Sequence, residues 1–497
     1  MTTEHGKSWM RAVVGACLAG LLGFAQAATI QIINIDGPGV GFNDPTPAAP
    51  VGGNPGTTLG QQRLNVFDFV ANFWGRRLRS DVPIQVISTF DALPCDSTSG
   101  VLGAAGALFI WANTPNAKAN TWYPQALANK LAAVQVNTTP DPAFGTADII
   151  AFFNGDLGKA GCLDGLSFYL GLDGNADPAS QIDLVTTVLH EFGHGLGFQT
   201  FTDDATGAQI PSDEDPNVSF PSIWDYFLFD PQQRKNWAQM TDAERVTSAI
   251  TPRNLVWNGR QVTKNAHKVL NKGTPELFVA GGSLNKFYVN GPAEFGPPID
   301  KHTLIASELA HVVDQPASGL GLACNPLDAA NTKAVKGKVA VIDRGGCAFT
   351  QKVKNAQVAG AQAVVIADNA AGTPPQPLAG IDATIQIPSM RVSRDDGVEI
   401  KAAIAAVPPK RIGPIGVLFS NQLKLEGADF LDRVFMYTPN PNQPGSSVSH
   451  YDTLAKPNLL MEPFDTPHQP IAVAPPDDLT LQLLLDIGWG GHSSRDD

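Results

Sequence analysis

Two histidines and a glutamate in the run Val188-Leu189-His190-Glu191-Phe192-Gly193-His194-Gly195-Leu196-Gly197-Phe198 are the side chains best suited to chemistry in this chain. Histidines four apart rise about one helical turn, so both imidazoles project from one face at a separation one metal ion can span. Glu191 lies about 100° further round the helix, awkward as a ligand but placed to take a proton from a water at the metal. That combination serves metal-assisted peptide hydrolysis. Ile182, Val185, Leu189, Phe192 and Leu196 recur at helical spacing. Ser180 and Asp183 suit a capping box at the start, and Gly197 suits a left-handed stop. The plain alternative is a chance match, because H-E-x-x-H fixes only three of its five positions. Against it, imidazoles and a carboxylate within an apolar helix need a compensating partner. Gly193, Gly195 and Gly197 are also poor helix formers and odd choices for mere core.

The longer pattern H-E-x-x-H-x-x-G-F resembles the metzincin zinc endopeptidases, in which the glycine turns the chain toward a third ligand three residues on. Here that position is Thr200. Leishmanolysin-like members place a long insertion before the third histidine, which sits in a Ser-His-aromatic context ahead of a methionine turn. Residues 445–452, with His450 at their centre, and the run Leu459-Leu460-Met461-Glu462-Pro463 are similar to that arrangement. The resemblance implies one catalytic Zn2+ held by His190, His194 and His450, a general base at Glu191, and Met461 packed beneath the metal. A plain core methionine would look the same as Met461. Of the other histidines, His267, His302, His311 and His492 stand in unpromising surroundings, and His468 is the runner-up as third ligand.

The elements that must position these groups are spread over 497 residues, long enough for two or three domains. A formal net charge of −13 argues against a nucleic-acid partner. Residues 1–27 combine a basic start, an apolar run and a small-residue cleavage site, the pattern of a secretory signal peptide. No other segment is apolar and long enough for a membrane span. Export makes the four cysteines left after cleavage, Cys95, Cys162, Cys324 and Cys347, candidates for two disulfides, paired within the first two and within the last two. Free buried thiols are the alternative. Residues 36–60, containing Gly41-Phe42-Asn43-Asp44-Pro45, read as an ordered Gly/Pro-rich surface loop, with Ca2+ binding as a role that little in the sequence supports. A helix over 61–78, on a face of Leu64, Phe67, Ala71, Trp74 and Leu78, precedes strands over 82–90 and 147–153. Residues 168–172 read as an edge strand, where an extended substrate could add itself or which could be an ordinary sheet margin.

Between 297 and 414 the pattern changes to strand (338–342), turn, helix (349–359) and strand (363–367), a βαβ unit without nucleotide-binding glycines or lysine. Residues 337–349, with Ala359-Gly360-Ala361 and Ile387-Pro388-Ser389-Met390, resemble the protease-associated (PA) domain, a non-catalytic companion of secreted peptidases. The expected architecture is an α+β, metzincin-like catalytic domain over 28–296 and 415–497, split by an α/β PA domain over 297–414. The expected function is a secreted zinc endopeptidase acting on peptides or proteins. An exported binding or adhesion protein, with a silent or structural metal site, is the competing class. Glu191 separates the two, because a structural zinc has no use for a carboxylate beside its water.

Overall fold

The computed structural model describes residues 27–466 and 469–490. Residues 1–26, which carry nearly all of the expected signal peptide, lie outside that range, as do His468 and His492. No helix among the described residues is long and apolar enough to cross a membrane.

The first core is assembled around β1 (Ile30–Asn34), α1 (Leu59–Gly75), β2 (Ile84–Asp91), β3 (Gly103–Ala107), β4 (Ile149–Asn154) and α2 (Leu184–Gly195). The strands form one sheet in the order β1-β2-β4-β3. β1, β2 and β4 run parallel, and β3 is antiparallel to β4 at the margin. Parallel neighbours need a crossover, and α1 supplies the one from β1 to β2. The α+β expectation is therefore corrected: strands and helices alternate and pair in parallel, which makes this part α/β with a mixed sheet. The sequence spacing also turned α1 slightly wrong. Its buried face is Val66, Phe67, Val70, Ala71, Phe73 and Trp74, while Leu64 stands 37% exposed.

α2 is held from every side. Asp183 caps it, accepting from the backbone N–H groups of Val185 and Thr186, so the helix starts at Leu184 and Ser180 takes no part in the cap. At the other end Gly197 N–H donates to the His194 carbonyl and Phe198 N–H to that of Gly193, the paired bonds of a Schellman stop. Gly197 sits at φ +117°, where a side chain would be strained. Two buried indoles tie the helix to distant chain: Trp74 Nε1 donates to the Leu189 carbonyl (3.3 Å) and Trp489 Nε1 to that of Leu196 (2.8 Å).

The second body is an eight-stranded sheet. Its strands are β5 (Lys272–Gly281), β6 (Leu284–Tyr288), β7 (Asn290–Pro292), β8 (Leu304–His311), β9 (Val339–Asp343), β10 (Ala363–Ala367), β11 (Ser389–Val392) and β12 (Ile415–Leu425). The order is β6-β5-β12-β8-β9-β10-β11-β7, with β8 to β11 parallel. The helices α3 (Phe349–Val358) and α4 (Arg394–Ala405) pack on this parallel part. β9 is buried on both faces: Val339 and Val341 belong to one core, Ala340 and Ile342 to the other. That is why its sequence reads as an uninterrupted apolar run. After β12 the chain returns to the first core, contributing Val434, Met436, Tyr451, Leu459 and Met461.

Each body carries a disulfide, Cys95–Cys162 across 67 residues and Cys324–Cys347 across 23. Closing loops of these lengths stabilises the fold by roughly 4 and 3 kcal/mol on chain entropy. Replacing Cys95 and Cys162 together by serine should lower the thermal midpoint of the first body more than the matching change at Cys324 and Cys347 lowers that of the second. Calorimetry showing no loss in either variant would contradict the role of these links.

Candidate metal centre and cleft

His190 and His194 lie one turn apart on α2, and the returning chain brings His450 against them. The three Nε2 atoms are 3.1, 3.2 and 3.2 Å from one another. Each ring is fixed from behind by a backbone carbonyl on its Nδ1: Leu460 for His190 at 2.7 Å, Phe198 for His194 at 2.8 Å and Ser446 for His450 at 2.8 Å. A carbonyl can only accept, so each Nδ1 carries the proton and each Nε2 presents a lone pair. Three lone pairs converging at these distances repel one another, and a shared cation reverses the sign. Tetrahedral zinc with nitrogen ligands at ~2.05 Å would set the nitrogens ~3.3 Å apart, close to the observed triangle. The donor set fits zinc, with neutral imidazoles pre-aimed by their outer hydrogen bonds. Burial lowers the pKa of His190 to about 4 and, with His190 nearby, that of His194 to about 3; His450 is held well below its ordinary value for the same reasons. Protons therefore do not compete for these nitrogens near neutrality.

Glu191 is 6% exposed and lies beside the triad in the same cleft, of about 950 Å³. Burial pushes its carboxyl up to about 8, against the lowering effect of a hydrogen bond from Ala105 N–H. A cation at the triad would pull it back down. The partner strand is β3, the sheet margin, whose backbone comes so near that a Cβ on Gly103 would lie 2.9 Å from Glu191 Cγ. Sequence reasoning missed this strand. Gly103-Ala104-Ala105-Gly106-Ala107 has none of the branched or aromatic residues that announce a strand, although a run of such small residues is itself the mark of close backbone approach. The strand expected at 168–172 is shorter, Ser167–Tyr169, and pairs in parallel with Gln181–Asp183 in a two-stranded sheet, where each strand has one neighbour.

Thr200, standing where a nearby third ligand was sought, does a different task. Its hydroxyl donates to buried Asp225 (2.9 Å) and its N–H to Ser449 Oγ (3.2 Å), fastening the turn after α2 to the segment of His450. Met461 is fully buried and packs on α2 between the two helix histidines, where a Cβ on Gly193 would lie 2.8 Å from its Sδ. His311 is engaged with Asp343 at 3.3 Å, inside the second body. Asp36, the first acid of the Gly/Pro-rich loop considered for Ca2+, accepts from the Phe42 and Phe90 N–H groups and the Thr89 hydroxyl. Among the described residues the histidine triad is the cluster whose geometry suits a metal ion.

Comparison with known proteins places the PA domain family on residues 308–400. The minor extracellular protease Vpr of Bacillus subtilis is 31% identical over 121 residues, 23% of this chain and 14% of that protein. An ER degradation-enhancing alpha-mannosidase-like protein 3 of Xenopus laevis is 37% identical over 83 residues, 17% of this chain and 8% of that one. The chain thus spans only 8 to 14% of the length of these curated relatives. Among solved structures, the zinc aminopeptidase BSAP of Bacillus subtilis aligns over 32% of this chain and 37% of its own at 20% identity, TM-score 0.21. A peptidase M28 precursor of Shewanella amazonensis aligns over 33% and 40% at 11% identity, TM-score 0.20. The metzincin assignment is corrected, and the metzincin-like fold class with it: the family model that matches is the PA domain, and the zinc peptidases among the similar structures are of aminopeptidase and M28 type. At such TM-scores the likenesses carry no argument about the part that holds the histidines, whose chemistry rests on its own geometry.

The contact of Gly193 with Met461 generates a test. Gly193→Ala should destabilise the protein by about 1–3 kcal/mol through overpacking. Adding Met461→Ala should recover part of that loss, so the two changes are non-additive in a denaturant-unfolding cycle. Additive losses would mean that the sulfur does not press on the helix.

Proposed function

We propose that the chain is a zinc-dependent peptidase cutting within peptide chains. The observation that carries this reading is the convergence of three outward-locked imidazoles with a buried carboxylate in one open cleft. His190, His194 and His450 would hold the ion. Zinc, when bound there, supplies Lewis acidity toward a water and toward the scissile carbonyl. Glu191, desolvated and close by, takes the proton of the attacking water and returns it to the leaving amine. A carboxyl raised by burial and lowered by a neighbouring cation is poised to move a proton in both directions. Phe198, Ser446 and Leu460 keep the rings in one tautomer through their carbonyls.

Cutting within chains, rather than from an end, is supported by the run of the cleft. It continues past the triad toward the start of α2, along Ile182, Thr186 and Phe464, and past its end, along Gln199, Asp204 and Pro444. A substrate thus has room on both sides of the reacting bond. The division of labour we propose is a catalytic unit from residues 28–296 and 415–497 around an insert over 297–414, whose sheet also takes strands from both flanks. Two disulfides support an oxidising compartment, hence export.

Glu191→Gln should abolish cleavage of a quenched peptide while zinc content stays near one per chain, because the side chain acts on water and not on the metal. Zinc lost with that variant would move Glu191 into the ligand set. His450→Ala should remove most of the zinc and nearly all activity, whereas His468→Ala should leave the metal in place. Full zinc occupancy in folded His450→Ala would end the three-histidine reading. An N-acetylated peptide should be cut as readily as one with a free amine; strict dependence on the free amine would make the enzyme an aminopeptidase instead.

A further inference from the structure

We infer that the body built on the eight-stranded sheet positions His450, through the loop of Thr373 and through Arg253 where it meets β7, and thereby sets the affinity of the metal site; this rests on the zinc reading above. His450 lies in a hairpin-like return in which Tyr437 N–H donates to the His450 carbonyl (2.9 Å) and Val448 N–H to that of Tyr437 (2.7 Å). The turn between them, residues 438–447, delivers the Ser446 carbonyl that orients the His450 ring. Within the turn, Gln443 gathers the chain: its carbonyl accepts from Ser446 and Ser447, its N–H donates to Ser447 Oγ, and its side chain accepts from the Tyr437 hydroxyl.

The turn is fastened from outside by the insert. Thr373, in the loop between β10 and β11, exchanges both backbone hydrogen bonds with Asn440, at 2.6 and 2.8 Å. The same loop is anchored at its far end on β7, where Leu378 N–H donates to the Pro292 carbonyl and its own carbonyl accepts from Glu294 N–H. A second brace passes through Arg253, whose side chain is 13% exposed. It donates to the Asn290 carbonyl of β7 at 2.7 Å and faces fully buried Asp452 at 3.7 Å, two residues beyond His450. At that distance the pair is ionic rather than hydrogen-bonded, and loss of the guanidinium would leave a buried carboxylate uncompensated. Thr438 adds a bond from its hydroxyl to the Thr251 carbonyl (2.8 Å), beside Arg253. Both braces therefore run between β7 and its neighbouring loop on one side and the two flanks of His450 on the other. They are positioning residues: neither touches the triad.

Partners behind a metal ligand commonly affect metal affinity by 10–100-fold. Thr373→Pro, which removes the N–H that Asn440 accepts, and Arg253→Met should each weaken zinc binding about 10-fold or more, measured in the full chain by chelator competition. Cobalt(II) in place of zinc should show an altered visible spectrum in both, because the geometry at His450 changes. Ile400→Ala, a core change in the insert away from both braces and destabilising on a comparable scale, should leave affinity and spectrum as in the parent. If Arg253→Met does not fold, the comparison of Thr373→Pro with Ile400→Ala decides alone. Zinc affinity within twofold of the parent in a folded Thr373→Pro protein, with an unchanged cobalt spectrum, overturns the inference. His190→Ala separates the two layers: if it keeps its zinc, the metal reading itself fails, whereas if it loses zinc while Thr373→Pro does not, only the positioning fails.

Discussion

Three imidazole nitrogens that can only accept, held 3.1–3.2 Å apart, are the constraint from which the rest of this molecule follows. Left alone they repel, so the fold must hold them there against that repulsion. It does so with backbone rather than with side-chain carboxylates: each ring is turned by a carbonyl from a different stretch of chain. Backbone carbonyls are only as well placed as the elements that carry them. This explains why α2 is capped by Asp183, stopped by a Schellman turn and tied by two tryptophans.

The same constraint accounts for the small residues around the centre. Gly193 admits Met461, Gly195 admits the side chain of Ile149 from β4, and Gly103 admits Glu191. In each case a Cβ would stand under 3 Å from the neighbour named. What looks in the sequence like poor helix and strand composition is close packing around a site that cannot be moved. Glu191 benefits directly: enclosed by β3, it loses solvent and becomes a group whose proton affinity depends on the charge next to it.

How much of this could be read beforehand follows from the range of the interactions. Contacts within one helix are periodic, so α2 and its two histidines were legible, as was the doubly buried β9 with its apolar run. The approach of His450 is set by tertiary packing and leaves no periodic trace; it came from a resemblance whose family label the comparisons overturned. β3 was invisible because its role demands small side chains, the opposite of a strand signal. The mixed parallel sheet was misread as α+β because pairing direction is decided by the crossover through α1 and not by any strand's own composition. Neither brace on His450 could have been found from sequence, since backbone-to-backbone bonds such as Thr373 with Asn440 place no demand on residue type.

The central claim is that one zinc ion is bound by three histidines, two from α2 and one from the chain that returns after the insert. X-ray absorption at the zinc edge of the metal-loaded protein tests this most directly. The account predicts a shell of light donors at ~2.0–2.1 Å, with multiple-scattering features of three imidazoles that fall to two in His450→Ala. Sulfur in the shell, or an imidazole count unaffected by removal of His450, would contradict it.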